Sequence, residues 1–210
     1  MSLRLDVYAR ELRDLPHDLR WGRRHGAVWA ELRRRSFDQV YERGRFAVID
    51  QNLDRAHTRA PPPGVTVRVA DDPGVLAQLA PRRVQAALAR RETVRCVVAF
   101  RDGRAVGYDC WSKRLDPEFD LLPVPLPAGT PWGHDIYVEP AARGTGIGTA
   151  LAFARIADIR EHGFRRLRGL LEVGNLAAWR TAERSVPSTL LGEAWYVKTP
   201  GRLRTGFEPA

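Results

Sequence analysis

Leu5, Tyr8, Leu12 and Leu15 recur at spacings of three and four, the signature of one apolar helical stripe, until Pro16 interrupts it. A second helical stretch follows over about 18–41, carrying Trp21, Val28, Trp29, Leu32 and Val40 among many arginines. Helical character is therefore expected across 1–43. Residues 45–53 (RFAVIDQNL) read as a short strand, and 55–64, which ends in three prolines and a glycine, reads as a linker. The pattern predicts an N-terminal helical extension over 1–60 and a second domain over 61–210. In that domain, 65–70 alternates and is β-branched, so it is a strand. Residues 73–91 are helical, with Pro81 splitting them. Strands follow at 93–100 and 105–112 around the hairpin turn Asp102-Gly103. A proline-rich loop (116–131) leads to a strand at 134–138, a helix at 146–162, a strand at 167–173 and a helix at 176–184. Strands 190–198 and 202–207 close the chain as a hairpin.

That order predicts an α/β (α+β) fold whose mixed sheet begins largely antiparallel. The strand–helix–strand unit at 134–173 implies a parallel pair with a right-handed crossover.

At 210 residues, 44% of them hydrophobic and 28% charged, the chain is globular in composition. The longest stretch without Asp, Glu, Lys or Arg is 121–134, which holds four prolines and is too short to span a membrane. No apolar run follows Met1-Ser2-Leu3-Arg4, so a secretory signal is not expected. Cys96 and Cys110 lack CxxC or zinc-ligand spacing and fit reduced thiols in a cytoplasm, with no metal site. The net charge is +9, yet only Lys113 and Lys198 are lysine. Such reliance on arginine, with abundant Ala, Gly and Pro, points to a GC-rich, bacterial genome. The charge still attracts nucleotides and phosphates. Within 1–43, ten arginines meet seven acidic residues, so the basic excess there is only three. A nucleic-acid partner is the weakest of the readings considered.

The most informative segment is Val138 to Ala150 (VEPAARGTGIGTA), which leaves a strand and opens a helix. Closely spaced glycines let backbone N–H groups approach a ligand. The helix start adds free N–H groups and a partial positive charge. Hydrogen bonds to a charged oxygen are worth roughly 1.5–3 kcal/mol each, against about 0.3–1 kcal/mol for the dipole. The N–H array is thus the main attraction for a diphosphate, and Arg143 adds a cation at its rim. No lysine lies nearby, which excludes a P-loop. Thr149 and Leu151 occupy the last positions of the two G-x-G-x-x-G frames, which excludes a dinucleotide fingerprint. Arg143, Gly146 and Gly148 satisfy R/Q-x-x-G-x-G/A instead.

With Val138 and Pro140 before that motif and Asn175, with Ala178, opening the next helix, residues 65–207 resemble the GNAT acyltransferase superfamily. The resemblance implies a mixed central sheet with a splayed parallel strand pair (134–138 and 167–173) and helices on both faces. It implies acetyl-CoA as co-substrate. The pantetheine arm would lie along Ile136, Tyr137 and Val138, and the pyrophosphate on Arg143, Gly144, Thr145, Gly146, Ile147, Gly148 and Thr149. Asn175 would contribute as well, although it also suits a plain N-cap. His134 stands where some members carry the base, and its ordinary pKa suits proton removal at neutral pH. Asp135 ranks second and is expected on the opposite strand face. Asp109 and Tyr108 are weaker alternatives. Many members place an acidic tyrosine where this chain has Ala182, so Ser185, Tyr196 or water is left to protonate the thiolate. The acceptor, a small-molecule amine, would lie under the 116–131 loop with its Asp116, Glu118 and Asp120, with Trp111, Trp132 and Trp179 as a wall. The implied activity is N-acetyl transfer by direct attack in a ternary complex. The alternative is a non-catalytic CoA-binding sensor or partner module. Residues 1–60 would cap the domain, form a homodimer or recruit a partner.

Overall fold

The computed structural model describes residues 42–210 except 57–58, 71–72, 78, 80–93, 114–121, 125–126, 128 and 200–201. The helical stretches expected across 1–41, the part from 80 onward of the helical stretch expected over 73–91, and the acidic residues of the long loop lie outside the described residues.

Eight strands form one sheet: β1 (Glu42–Asn52), β2 (Val65–Val69), β3 (Val94–Arg101), β4 (Arg104–Ser112), β5 (Trp132–Val138), β6 (Arg166–Glu172), β7 (Ser188–Thr199) and β8 (Arg202–Pro209). Their spatial order is β2-β3-β4-β5-β6-β1-β7-β8. The described parts of the helices are α1 (Pro73–Ala77), α2 (Ile147–Glu161) and α3 (Leu176–Ser185). This is the mixed sheet expected from the sequence, with β5–β6 as its parallel pair and the other neighbours antiparallel.

Period-2 alternation fixes which side chains meet which layer. On β4, Asp109 and Trp111 point toward α2. Arg155 Nη1 donates to Asp109 Oδ1 at 2.8 Å, and Trp111 Nε1 donates to Asp158 at 2.7 Å. Arg95 on β3 adds two bonds to the same Asp158 carboxylate. α2 buries Ile147, Leu151, Ile156 and Ile159 against the sheet, each 2% exposed or less. Tyr108 and Cys110, on the opposite face of β4, pack with Leu76 and Leu79.

Two findings differ from the sequence reading. The first concerns β1. It starts at Glu42, where helix was expected, and it is no part of a separate extension. It lies inside the sheet, antiparallel to both β6 and β7. Ala47, Val48 and Ile49 are buried on both faces, as a central strand requires. Its neighbours lie more than 110 residues downstream, which local patterning cannot reveal. The second concerns the cysteines. Cys96 and Cys110, expected as reduced thiols, are joined in a disulfide. They face each other directly across β3 and β4 with Cα atoms 4.1 Å apart. That register is invisible to a search for CxxC.

Candidate active site

The parallel pair β5–β6 is joined over only two positions, Trp132 with Arg168 and Gly133 with Gly169. Beyond them the strands part. The resulting cleft is lined by Gly133 and Ile136 of β5, Leu167 and Gly169 of β6, and Ala178 and Ala182 of α3. This is the splayed pair expected from the sequence.

A bulge shapes the β5 side. Tyr108 faces Tyr137 and Cys110 faces His134, so Asp135 and Ile136 together oppose Asp109 alone. Asp135 takes a left-handed conformation (φ 52°) to accommodate the extra residue. This corrects the expectation that His134 and Asp135 point to opposite faces. The bulge breaks the alternation, and His134 Nδ1 lies 3.0 Å from Asp135 Oδ2. A carboxylate there holds the proton on Nδ1 and leaves Nε2 as the acceptor. That Nε2 is buried and has no protein partner. The Tyr137 ring lies against Tyr108 with centroids 5.8 Å apart. Burial pushes its phenol up to about 12, assisted by Glu139 and opposed by Arg143, so it stays protonated.

The glycine loop follows β5 and opens α2, and its Gly144, Gly146 and Thr149 line a second cavity with Pro61, Pro62 and Arg184. Gly144 (φ 77°) and Gly146 (φ 86°) are left-handed, a conformation that costs other residues about 1–2 kcal/mol. A side chain at Gly144 would meet nothing within 4 Å, so this backbone faces open space. The first helical hydrogen bond runs from Ala150 N–H to Gly146 O. The N–H groups of Ile147, Gly148 and Thr149 therefore have no helical acceptor. Thr145 pins the loop through a hydrogen bond to Ala142 O. Arg143 turns back, its Nε donating to Val138 O at 3.0 Å, and ties the loop to the end of β5. The arrangement fits a diphosphate: ligand-facing amides, open space before them and a guanidinium at the edge.

The remaining predicted residues separate. Ser185 lines the cleft but is fully buried, and its hydroxyl donates to Ala182 O. Tyr196 is elsewhere, stacked on Phe46 in a core cluster with Val48 and Trp132. Asn175 caps α3, its Oδ1 accepting from Ala178 N–H at 3.1 Å. Trp111 is core, covered by Ile156 and Phe164.

Sequence reasoning gave too little weight to the cleft floor. Asp109 is completely buried, and its Oδ2 has no partner. Burial pushes its carboxyl up. The charge and hydrogen bond of Arg155 oppose the rise, as does His134, while Asp135 adds to it. Two signals were available: an acid within the apolar run of β4, and an arginine amid the buried residues of α2.

The sheet parts between its parallel strands, and a glycine loop leads from the first of them into α2. The model of the acetyltransferase (GNAT) family matches residues 26–186, and the chain belongs to that family. Among solved structures, a protein from Drosophila is similar at 13% identity, with a TM-score of 0.57 over 83% of this chain and 57% of its own. A GCN5-related N-acetyltransferase from Kribbella flavida is 16% identical, with a TM-score of 0.53 over 84% of this chain and 66% of its own. These likenesses concern the fold, and this chain spans only 57–66% of those two structures. No curated protein matches the chain. Among the described residues, no helix is long and apolar enough to cross a membrane, and no group of metal-ligating side chains is present.

Proposed function

We propose that this protein transfers the acetyl group of acetyl-CoA to a primary amine of a small molecule. The observation that carries the reading is the cleft between β5 and β6, together with the glycine loop that follows β5 and faces open space. Acetyl-CoA supplies the activated acyl thioester. Backbone groups of Ile136, Tyr137 and Val138 line its arm, and the N–H groups of residues 144–149 hold its diphosphate, with Arg143 beside them. His134 Nε2 takes the proton from the incoming ammonium, and Asp135 keeps the imidazole in the tautomer this requires. Asn175 serves mainly by holding the α3 wall.

The test is thermal denaturation with acetyl-CoA, free CoA, ATP and NAD, for the wild type and Gly146→Trp. A ligand at 100 times its Kd adds about 2.7 kcal/mol. Both CoA species should raise the melting temperature of the wild type, and the variant should lose that rise. An amine screen follows with His134→Ala, which should retain binding and lose about 10²–10⁴-fold in rate. No stabilisation of the folded wild type by either CoA species overturns the reading.

A further inference from the structure

The leaving thiolate needs a proton, and the residues expected to give it do not fit. Position 182 is alanine, Tyr196 is packed with Phe46 in the core cluster of Val48 and Trp132, and the Ser185 hydroxyl is spent on Ala182 O. The cleft nevertheless contains an acid. Asp109 lines it beside Gly133, Arg155 and Ala182, on the α2 face of the sheet. One carboxylate oxygen is held by Arg155 at 2.8 Å, and the other is buried without a partner. Arg155 is itself held in place, because its guanidinium fills the space that a side chain at position 133 would take.

We propose that Asp109, positioned by Arg155, is the proton donor to the departing CoA thiolate, in place of the tyrosine absent at 182. This rests on the acyltransferase reading above. Arg155 from α2 contacts Asp109, and the charges of His134 and Asp135 on β5 also act on it. Arg168 from β6 and Ser185 from α3 line the same cleft. Desolvation favours the protonated carboxyl over the anion, and after transfer Arg155 faces the carboxylate that remains.

The balance is simple. The amine nitrogen forms the new C–N bond, and the C–S bond breaks with its electron pair on sulfur. The proton on Asp109 Oδ2 forms the S–H bond. The ammonium loses two protons through His134 to water, and Asp109 regains one from water. The net products are the amide, free thiol and one proton.

The test uses full-length protein labelled with 13C at the aspartate carboxyl carbons. Asp109→Asn identifies the Asp109 resonance, and Arg155→Met, in which that resonance should move most, identifies it if the first variant does not fold. The resonance should titrate above the other aspartates. It should move on adding free CoA, and move differently with desulfo-CoA, which lacks the thiol. Asp109→Asn should keep the thermal stabilisation by acetyl-CoA and lose at least about 10²-fold in turnover, with the alkaline limb of the pH profile altered. If CoA stabilises the protein but Asp109 titrates with the ordinary carboxylates and ignores the thiol, the assignment falls and the acyltransferase reading stands. If no CoA species binds, both fall.

Discussion

The two halves of the sheet on either side of the cleft are built by opposite rules. In β2-β3-β4-β5 each strand pairs with its neighbour in sequence. α2 covers that half, and Asp158 ties Trp111 and Arg95 to the helix. In β6-β1-β7-β8 the first described strand is clamped between two late ones. Asp50 of β1 accepts ion pairs from Arg166 and Arg168, and Gln51 donates to Ser188. Backbone pairing joins the halves only at Trp132–Arg168 and Gly133–Gly169, while a shared core packs Trp111, Ile156 and Ile159 of the first half against Leu53, Leu167 and Val186 of the second. The difference teaches why a gap between bonded strands is tolerable here: side chains packed between α2 and the sheet bridge the seam where β5–β6 pairs are missing.

The largest effect should come from breaking the clamp. Val48 has no exposed surface, so Val48→Asp should cost about 4 kcal/mol or more. Hydrogen exchange should show β7 and β8 losing protection before β3 and β4. Uniform loss across the sheet would show that the halves are not separate. In the other half, Asp158→Ala leaves the buried Trp111 indole N–H without its acceptor and should cost about 1–3 kcal/mol, read by urea denaturation. Its exchange pattern should be the mirror image.

A pH series sharpens the comparison. The folded-state pKa of Asp109 is raised above the unfolded value by burial. Its neutral form therefore favours folding below the unfolded pKa near 3.8, and that contribution is lost as pH rises through the folded pKa. Stability of Asp109→Asn relative to the wild type should accordingly increase with pH across that window. A flat difference would show that Arg155 fully compensates the burial. The smallest effect is expected at Asn175→Ala, about 1 kcal/mol for a lost N-cap, with acetyl-CoA binding nearly unchanged. A tenfold loss of binding there would show that Asn175 holds the ligand directly.

The sequence-local half was legible from the chain. Alternation gave β2, β3 and β4, Asp102-Gly103 gave their hairpin, and the glycine spacing located the loop and the start of α2. The other half was legible only as separate elements. RFAVIDQNL announces a strand but does not name its partners, because pairing across more than a hundred residues leaves no local mark. His134 was singled out from its place before the loop. Its bond to Asp135 was not, since strict alternation forbids it and only a bulge permits it. Asp109 was seen and ranked low, because its value lies in the tertiary position of Arg155.

The placement of β1 also sets a timetable. A ribosome adds about 5–20 residues per second, so the roughly 150 residues between β1 and the end of β7 take on the order of 10–30 s to emerge. Until β6 is made, an apolar strand built for the middle of a sheet has neither neighbour, and until β7 is complete it lacks the second. The charged start of that strand, Glu42, Arg43 and Arg45, is the kind of guard that discourages edge-to-edge association. Nascent chains stalled before residue 188 should therefore be the form of this protein most in need of a chaperone.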